Sequence, residues 1–184
     1  MRYSVNIDKV KVALERVYQS DEWARAISVF KESKRVFFIG HGGNLAIADH
    51  AAIDCTRICN YEKVGVAIGS AVAATSLIND KGWEYWLKVW LTSEFQVSDA
   101  SACAVILTST GKAGDIVNAI ECCVEKKIPV ICLTGISIDQ FTRAPGYIEL
   151  LLHVDTYHDA EMLSLGLTYD FYAAAGYHCP TLKK

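Results

Sequence analysis

The sequence predicts an α/β fold, a three-layer sandwich in which a central parallel sheet is covered by helices on both faces. Two observations carry this. Short apolar runs rich in β-formers, Arg35 to Gly40 (RVFFIG), Ala102 to Leu107 (ACAVIL) and Pro129 to Thr134 (PVICLT), each stop at glycine or hydroxyl residues. Between them lie stretches whose apolar residues recur three and four apart, the period of a helix with one buried face. Strands alternating with helices of about 10–15 residues are joined by crossovers into a parallel sheet.

Each element follows from its own pattern. Ile7 to Tyr18 and Trp23 to Lys31 read as amphipathic helices, broken near Ser20 and Asp21, where an N-cap belongs. Arg35 to Gly40 is a buried strand and Asn44 to Cys59 returns to helical spacing, so this segment reads strand, glycine turn, helix. A weak strand at Lys63 to Val66 precedes a helix from Ser70 to Ile78 that stops at Asn79-Asp80-Lys81-Gly82. From Trp83 to Phe95, Trp83, Trp86 and Trp90 recur at helical spacing, a stripe that reads as packing. After Ala102 to Leu107 comes the polar turn Thr108-Ser109-Thr110-Gly111-Lys112 and a helix from Gly114 to Lys126. Pro129 to Thr134 and Tyr147 to Val154 are further strands, and the last helix runs from Thr156 to Ala175. No repeat or Pro/Gly-rich linker divides the chain. The organisation expected is one domain over 1–184, with helices in 1–32, an α/β core with the C-terminal helix in 33–176 and a tail at 177–184.

Composition narrows the function classes. The 18 basic and 21 acidic residues leave a net charge of −3 with no cationic run, which excludes a basic surface for nucleic acid or anionic lipid. No stretch approaches the roughly 18 apolar residues of a membrane span, and the charged N-terminus lacks the apolar core of a secretory leader. Cys55, Cys59, Cys103, Cys122, Cys123 and Cys132 sit in apolar stretches, as reduced core residues of a cytoplasmic protein do. Cys55 and Cys59 share a helix face without a second cysteine pair, so they read as packing rather than zinc ligands. Hydrophobic residues make up 52% of the chain, which points to helical faces buried in an oligomer.

The turns after the strands carry the chemistry, because ligands of open α/β sheets bind outside the carboxyl ends of the strands. In ILTSTGKAGDIVNAI, Thr108, Ser109, Thr110, Gly111 and Lys112 lie between a strand and a helix N-terminus, where hydroxyls, amides and the helix dipole suit a phosphate. The same hydroxyls also suit simple helix capping, and Lys112 suits either phosphate contact or solvation. The G-x-x-x-x-G-K-[ST] pattern is absent, and GHGGN (residues 40–44) lacks the dinucleotide spacing, so nucleotide binding is not indicated. Gly42 and Gly43 stand where backbone must approach a ligand or adopt positive φ. On the following helix, His50 and Asp54 are four apart on one face, a spacing that serves metal binding, proton transfer or a plain hydrogen-bonded pair. His153 and His178 read as structural.

Four ordered motifs resemble the phosphoheptose isomerases of the sugar isomerase (SIS) superfamily. GHGGNLAIADHAAID is similar to their G-N-G-G-S-A-x-x-A-x-H-x-x-x-E segment, and SLINDKGWEYW to N-D-x-G-F. LTSTGKAGDIVNAI resembles S-T-S-G-x-S-x-N-V-x-x-A-I, and IPVICLTG resembles K-V-I-x-L-T-G. The resemblance covers roughly residues 5–176. It implies a flavodoxin-like parallel sheet, a homotetramer with a sugar phosphate bound between subunits, ketose–aldose interconversion (classically of sedoheptulose 7-phosphate) and, in several members, zinc. By position, Thr108, Ser109 and Thr110 would hold the phosphate, and Asn44 stands at a substrate-contacting serine. Asp80 matches the aspartate of the N-D segment. His50 and Asp54 fall on the family's histidine and glutamate, with Asp54 as the base.

The C-terminal helix follows D-x-x-Q-E-x-H-x-x-x-x-H loosely: Asp155 matches the aspartate, His158 stands at the glutamine and Glu161 at the first histidine. The last histidine, the family's general acid, falls on Gly166. A site of His50, Asp54 and His158, not the family's usual set, would still suit zinc with water or substrate in an open position, and Asp54 and His158 are the expected catalytic residues. His41 for asparagine, Asn44 for serine and Ala113 for serine are further departures. The reading is a phosphosugar isomerase; the alternative is a non-catalytic phosphosugar-binding or assembly protein, which Gly166 favours.

Overall fold

The computed structural model describes residues 6–95 and 101–182. Its elements are α1 (Ile7–Tyr18), α2 (Asp21–Glu32), β1 (Arg35–Ile39), α3 (Gly43–Ile58), β2 (Val64–Val66), α4 (Ala71–Lys81), α5 (Trp86–Glu94), β3 (Ala102–Thr108), α6 (Gly114–Glu125), β4 (Val130–Thr134), β5 (Tyr147–Leu151) and α7 (Tyr157–Ala174). The last two residues of the expected tail lie outside the described residues. The strands form one sheet in the order β2-β1-β3-β4-β5, parallel throughout.

Strand alternation divides the core in two. Val36, Phe38, Cys103, Val105, Leu107, Ile131 and Leu133 face α1, α2, α3 and α7. Phe37, Ile39, Ala104, Ile106, Val130 and Cys132 face α4, α5 and α6. With both faces covered, β3 is buried along its whole length, which is why its sequence is a continuous apolar run. Each large side chain so buried contributes about 1.5–3 kcal/mol.

Several boundaries differ from the sequence pattern for local reasons. Ser20 caps α2 by accepting the Trp23 amide at 3.1 Å, so the helix begins at Asp21 rather than Trp23. β5 ends at Leu151, short of Val154, and His153 takes a φ of 52°. In the aromatic stretch the helix starts at Trp86; Trp86 and Trp90 are buried while Trp83, in the preceding turn, is 48% exposed. Lys63 lies outside β2 and is buried. Its ammonium donates to the carbonyls of Phe30, Lys31 and Ser33 at 2.8, 2.9 and 2.5 Å and so closes the C-terminus of α2.

Candidate active site

Parallel strands place the turns after β1, β3 and β4 on one rim of the sheet. At the first turn Gly42 adopts a φ of 60° and stands as N-cap of α3 without a side-chain bond, a conformation glycine takes freely. Asn44, in the first turn of α3, is 6% exposed; its Nδ2 donates to Ser109 Oγ at 3.4 Å, which joins the glycine turn to the hydroxyl loop. Its amide oxygen is buried and finds no hydrogen-bond partner among the described residues. An orphaned buried acceptor costs about 1–3 kcal/mol, so the position is paired by a ligand or carries that cost.

The hydroxyl loop is built by its own bonds. Buried Thr108 accepts the Gly111 amide on Oγ1 at 3.0 Å, Thr110 Oγ1 accepts the Lys112 amide at 3.4 Å, and the Ser109 carbonyl accepts the Gly135 amide at 3.2 Å. Thr108 thus closes the turn, while half-buried Ser109 and Thr110 and exposed Lys112 face outward. Next to the loop, Asp115 in the first turn of α6 is fully buried. Its Oδ1 accepts the Ile116 amide at 2.9 Å and its Oδ2 the Trp86 indole N–H at 3.1 Å, while His41 Nε2 stands 3.7 Å from Oδ1 with its ring edge-on to Trp83. The Glu161 carboxylate lies against Gly43, leaving no room there for a Cβ. Glu161 therefore reaches the glycine turn.

His50 and Asp54 do form a pair. His50 Nε2 is 3.0 Å from Asp54 Oδ2, and Arg57 adds a guanidinium nitrogen at 3.5 Å from Oδ1. Asp54 is buried, whereas the His50 side chain is 55% exposed. Tyr169 of α7, which no sequence motif singles out, completes the group with its hydroxyl 2.9 Å from His50 Nε2. Burial, and next the charge of Asp54, push the Tyr169 hydroxyl above its ordinary pKa, so it stays protonated and able to donate.

His158 does not join them. α7 runs alongside α3 in the same direction: Glu161 meets Gly43, Tyr169 meets His50, and Tyr172 donates to the Ala51 carbonyl at 2.8 Å. His158 lies exposed about three turns, ~16 Å, before Tyr169. Among the described residues no three His, Cys, Asp or Glu side chains form a group able to hold a metal ion, so the zinc set His50, Asp54 and His158 is not assembled within one chain. Asp155 pairs with Lys9 of α1, and exposed Asp80, in the last turn of α4, accepts from Asn79 at 3.1 Å. Gly166 leaves open space where a side chain would begin.

The hydroxyl loop and the glycine turn meet on the C-terminal rim of a three-layer parallel α/β sheet, where ligands of such folds bind. The chain is 24% identical over 147 residues to phosphoheptose isomerase of Aneurinibacillus thermoaerophilus, covering 78% of this chain and 74% of that one. It is 25% identical over 112 residues to phosphoheptose isomerase 2 of Campylobacter jejuni, a match that spans 60% of this chain and little more than half, 56%, of that relative. No family model matches the chain. In structure it is similar to phosphoheptose isomerase GmhA from Neisseria gonorrhoeae, with a TM-score of 0.76 at 17% identity over 92% of this chain and 94% of that one. The enzyme from Francisella tularensis gives 0.74 at 14% identity over 92% and 93%. Vibrio vulnificus NanR, solved in complex with ManNAc-6P, gives 0.61 at 15% identity over 92% of this chain and 60% of that one. The chain is similar in sequence to phosphoheptose isomerases at 24–25% identity and has the fold of the solved ones.

Proposed function

We propose that the protein is an aldose–ketose isomerase of sugar phosphates, with sedoheptulose 7-phosphate as the first substrate to test. The observation that carries the reading is the buried, unpartnered amide oxygen of Asn44, set between the glycine turn and the hydroxyl loop, where a hydroxyl of a substrate supplies the missing donor. Ser109, Thr110 and the amides of the loop bind the phosphate at the N-terminus of α6, with Lys112 beside them.

Asp54 is the base. It takes the proton from the hydroxyl-bearing carbon beside the carbonyl; the C–H pair forms the enediol double bond as the carbonyl π pair moves onto its oxygen. The adjacent hydroxyl passes its proton to that oxygen and re-forms a carbonyl, and Asp54 returns its proton to the former carbonyl carbon. Tyr169 and His50 donate hydrogen bonds to the oxygen that gains charge. Asp54 lies three turns, ~16 Å, along α3 from Gly43, longer than an extended seven-carbon chain. The phosphate loop of one copy therefore serves the His50–Asp54 pair of another, in a homotetramer. Zinc would be held there by His50 and Asp54, and would polarise the carbonyl. None of the proton transfers above is routed through it.

Gly166 favours a second reading, a phosphosugar binder without turnover, because the open space beside it lacks the family's acid. Purified protein incubated with sedoheptulose 7-phosphate and followed by NMR decides between the two. Aldose should form, and Asp54→Asn should slow it at least ~100-fold. Binding without conversion in the wild type supports the second reading and ends the first for this substrate.

A further inference from the structure

We infer that His41, set beside the buried carboxylate of Asp115, contacts the substrate phosphate, an assignment that rests on the sugar-phosphate reading above and extends it. At two positions where the family motifs carry asparagine, in G-N-G-G-S and in S-T-S-G-x-S-x-N, this chain has His41 and Asp115. The fold sets the two side by side, with Nε2 3.7 Å from Oδ1. Where the motifs hold two neutral amides, this rim holds an ionisable pair.

Asp115 cannot turn away. It is fully buried, and the Ile116 amide and the Trp86 indole hold one oxygen each. A carboxylate in the first turn of α6 is stabilised by the helix N-terminus, yet it occupies the positive end that a phosphate also needs. His41 is the donor side chain set beside that carboxylate on the rim. Nε2 faces Asp115, which leaves Nδ1 as the nitrogen that meets an incoming oxyanion. The ring is 33% exposed and edge-on to Trp83, so it is already oriented on the rim. The other charged groups of this rim are exposed Lys112, Glu84 beside Gly114 and Glu161 against Gly43. An independent mark of a ligand here is the orphaned oxygen of Asn44, three residues along the same turn.

The test is calorimetric titration of the full-length protein with inorganic phosphate and with sedoheptulose 7-phosphate. His41→Asn should weaken both by about tenfold, equivalent to about 1.4 kcal/mol. The double variant H41N/D115N, which carries both amides of the motifs, should bind no worse than H41N. Unchanged phosphate affinity in a folded H41N protein overturns the proposal, as does a wild type that binds no phosphate. His41 lies on the surface of the turn, so H41N tests the contact even where D115N perturbs folding. Phosphate binding that depends on His41, in a wild type that converts no sugar phosphate, upholds the contact and defeats the isomerase reading alone.

Discussion

Tyr169 shows how much of the candidate site is decided by single side chains. Its hydroxyl meets His50 Nε2 at 2.9 Å, and its ring packs edge-on against both His50 and Tyr172, so the pair on α3 is held from α7. Tyr169→Phe keeps the ring and removes only the hydroxyl. If the group works as proposed, kcat should fall roughly tenfold while KM changes little, because the lost bond strengthens as charge develops on oxygen. Equal loss in both parameters, or in neither, would argue against that role. The pairing of His50 with Asp54 was legible in the sequence because four residues make one helical turn. Tyr169 was not, since it stands 119 residues from its partner and no periodicity links the two. Asp115 and Trp86 escaped for the same reason, their bond spanning 29 residues between different helices.

At the scale of elements, the short apolar runs of the strands and the 3–4 spacing of the helices placed every strand and α-helix in order, and the structure moved mainly their ends. Ends depend on caps, and caps are side-chain accidents that a hydrophobic pattern does not contain. Lys63 is the clearest instance: it reads as the first residue of a weak strand, but three carbonyls at the end of α2 draw it inside and the strand begins one residue later. Lys63→Met keeps the aliphatic stem and leaves those carbonyls without their charged donor. We expect it to lower the unfolding free energy by about 2–3 kcal/mol, read as a lower urea midpoint at unchanged slope. A midpoint within experimental error of wild type would show that water replaces the ammonium at no cost.

On the scale of the whole molecule, the parallel packing of α3 and α7 governs what can meet. It brings Glu161 to the glycine turn and Tyr169 to His50, and it carries His158 three turns away from both members of the pair. Exposed apolar side chains, Ile53 on α3 (62%) and Met162 on α7 (45%), flank the same helices and suit contact with another copy. A site shared between copies predicts complementation. Asp54→Asn protein and a Thr108→Ala/Ser109→Ala/Thr110→Ala variant should each be inactive, while subunits mixed and reassembled in equal amounts should regain about a quarter of the sites. Activity that stays absent after verified mixing places loop and carboxylate on one chain and removes the need for a partner. Zinc measured in the same samples should follow His50, falling in a His50→Ala protein purified without chelator; equal metal content in both would exclude His50 as a ligand.

The sequence by itself determined the α/β class, the order of strands and helices, the rim on which the turns lie and the residues of the hydroxyl loop. These are local properties, written in periodicity, turn residues and helix starts. Only the tertiary structure decided which distant side chains touch: Asn44 with Ser109, His41 with Asp115, Tyr169 with His50, and His158 with none of them. Those meetings depend on the relative direction and register of packed helices, which arise from filling the core as a whole and leave no trace in the spacing of any one segment.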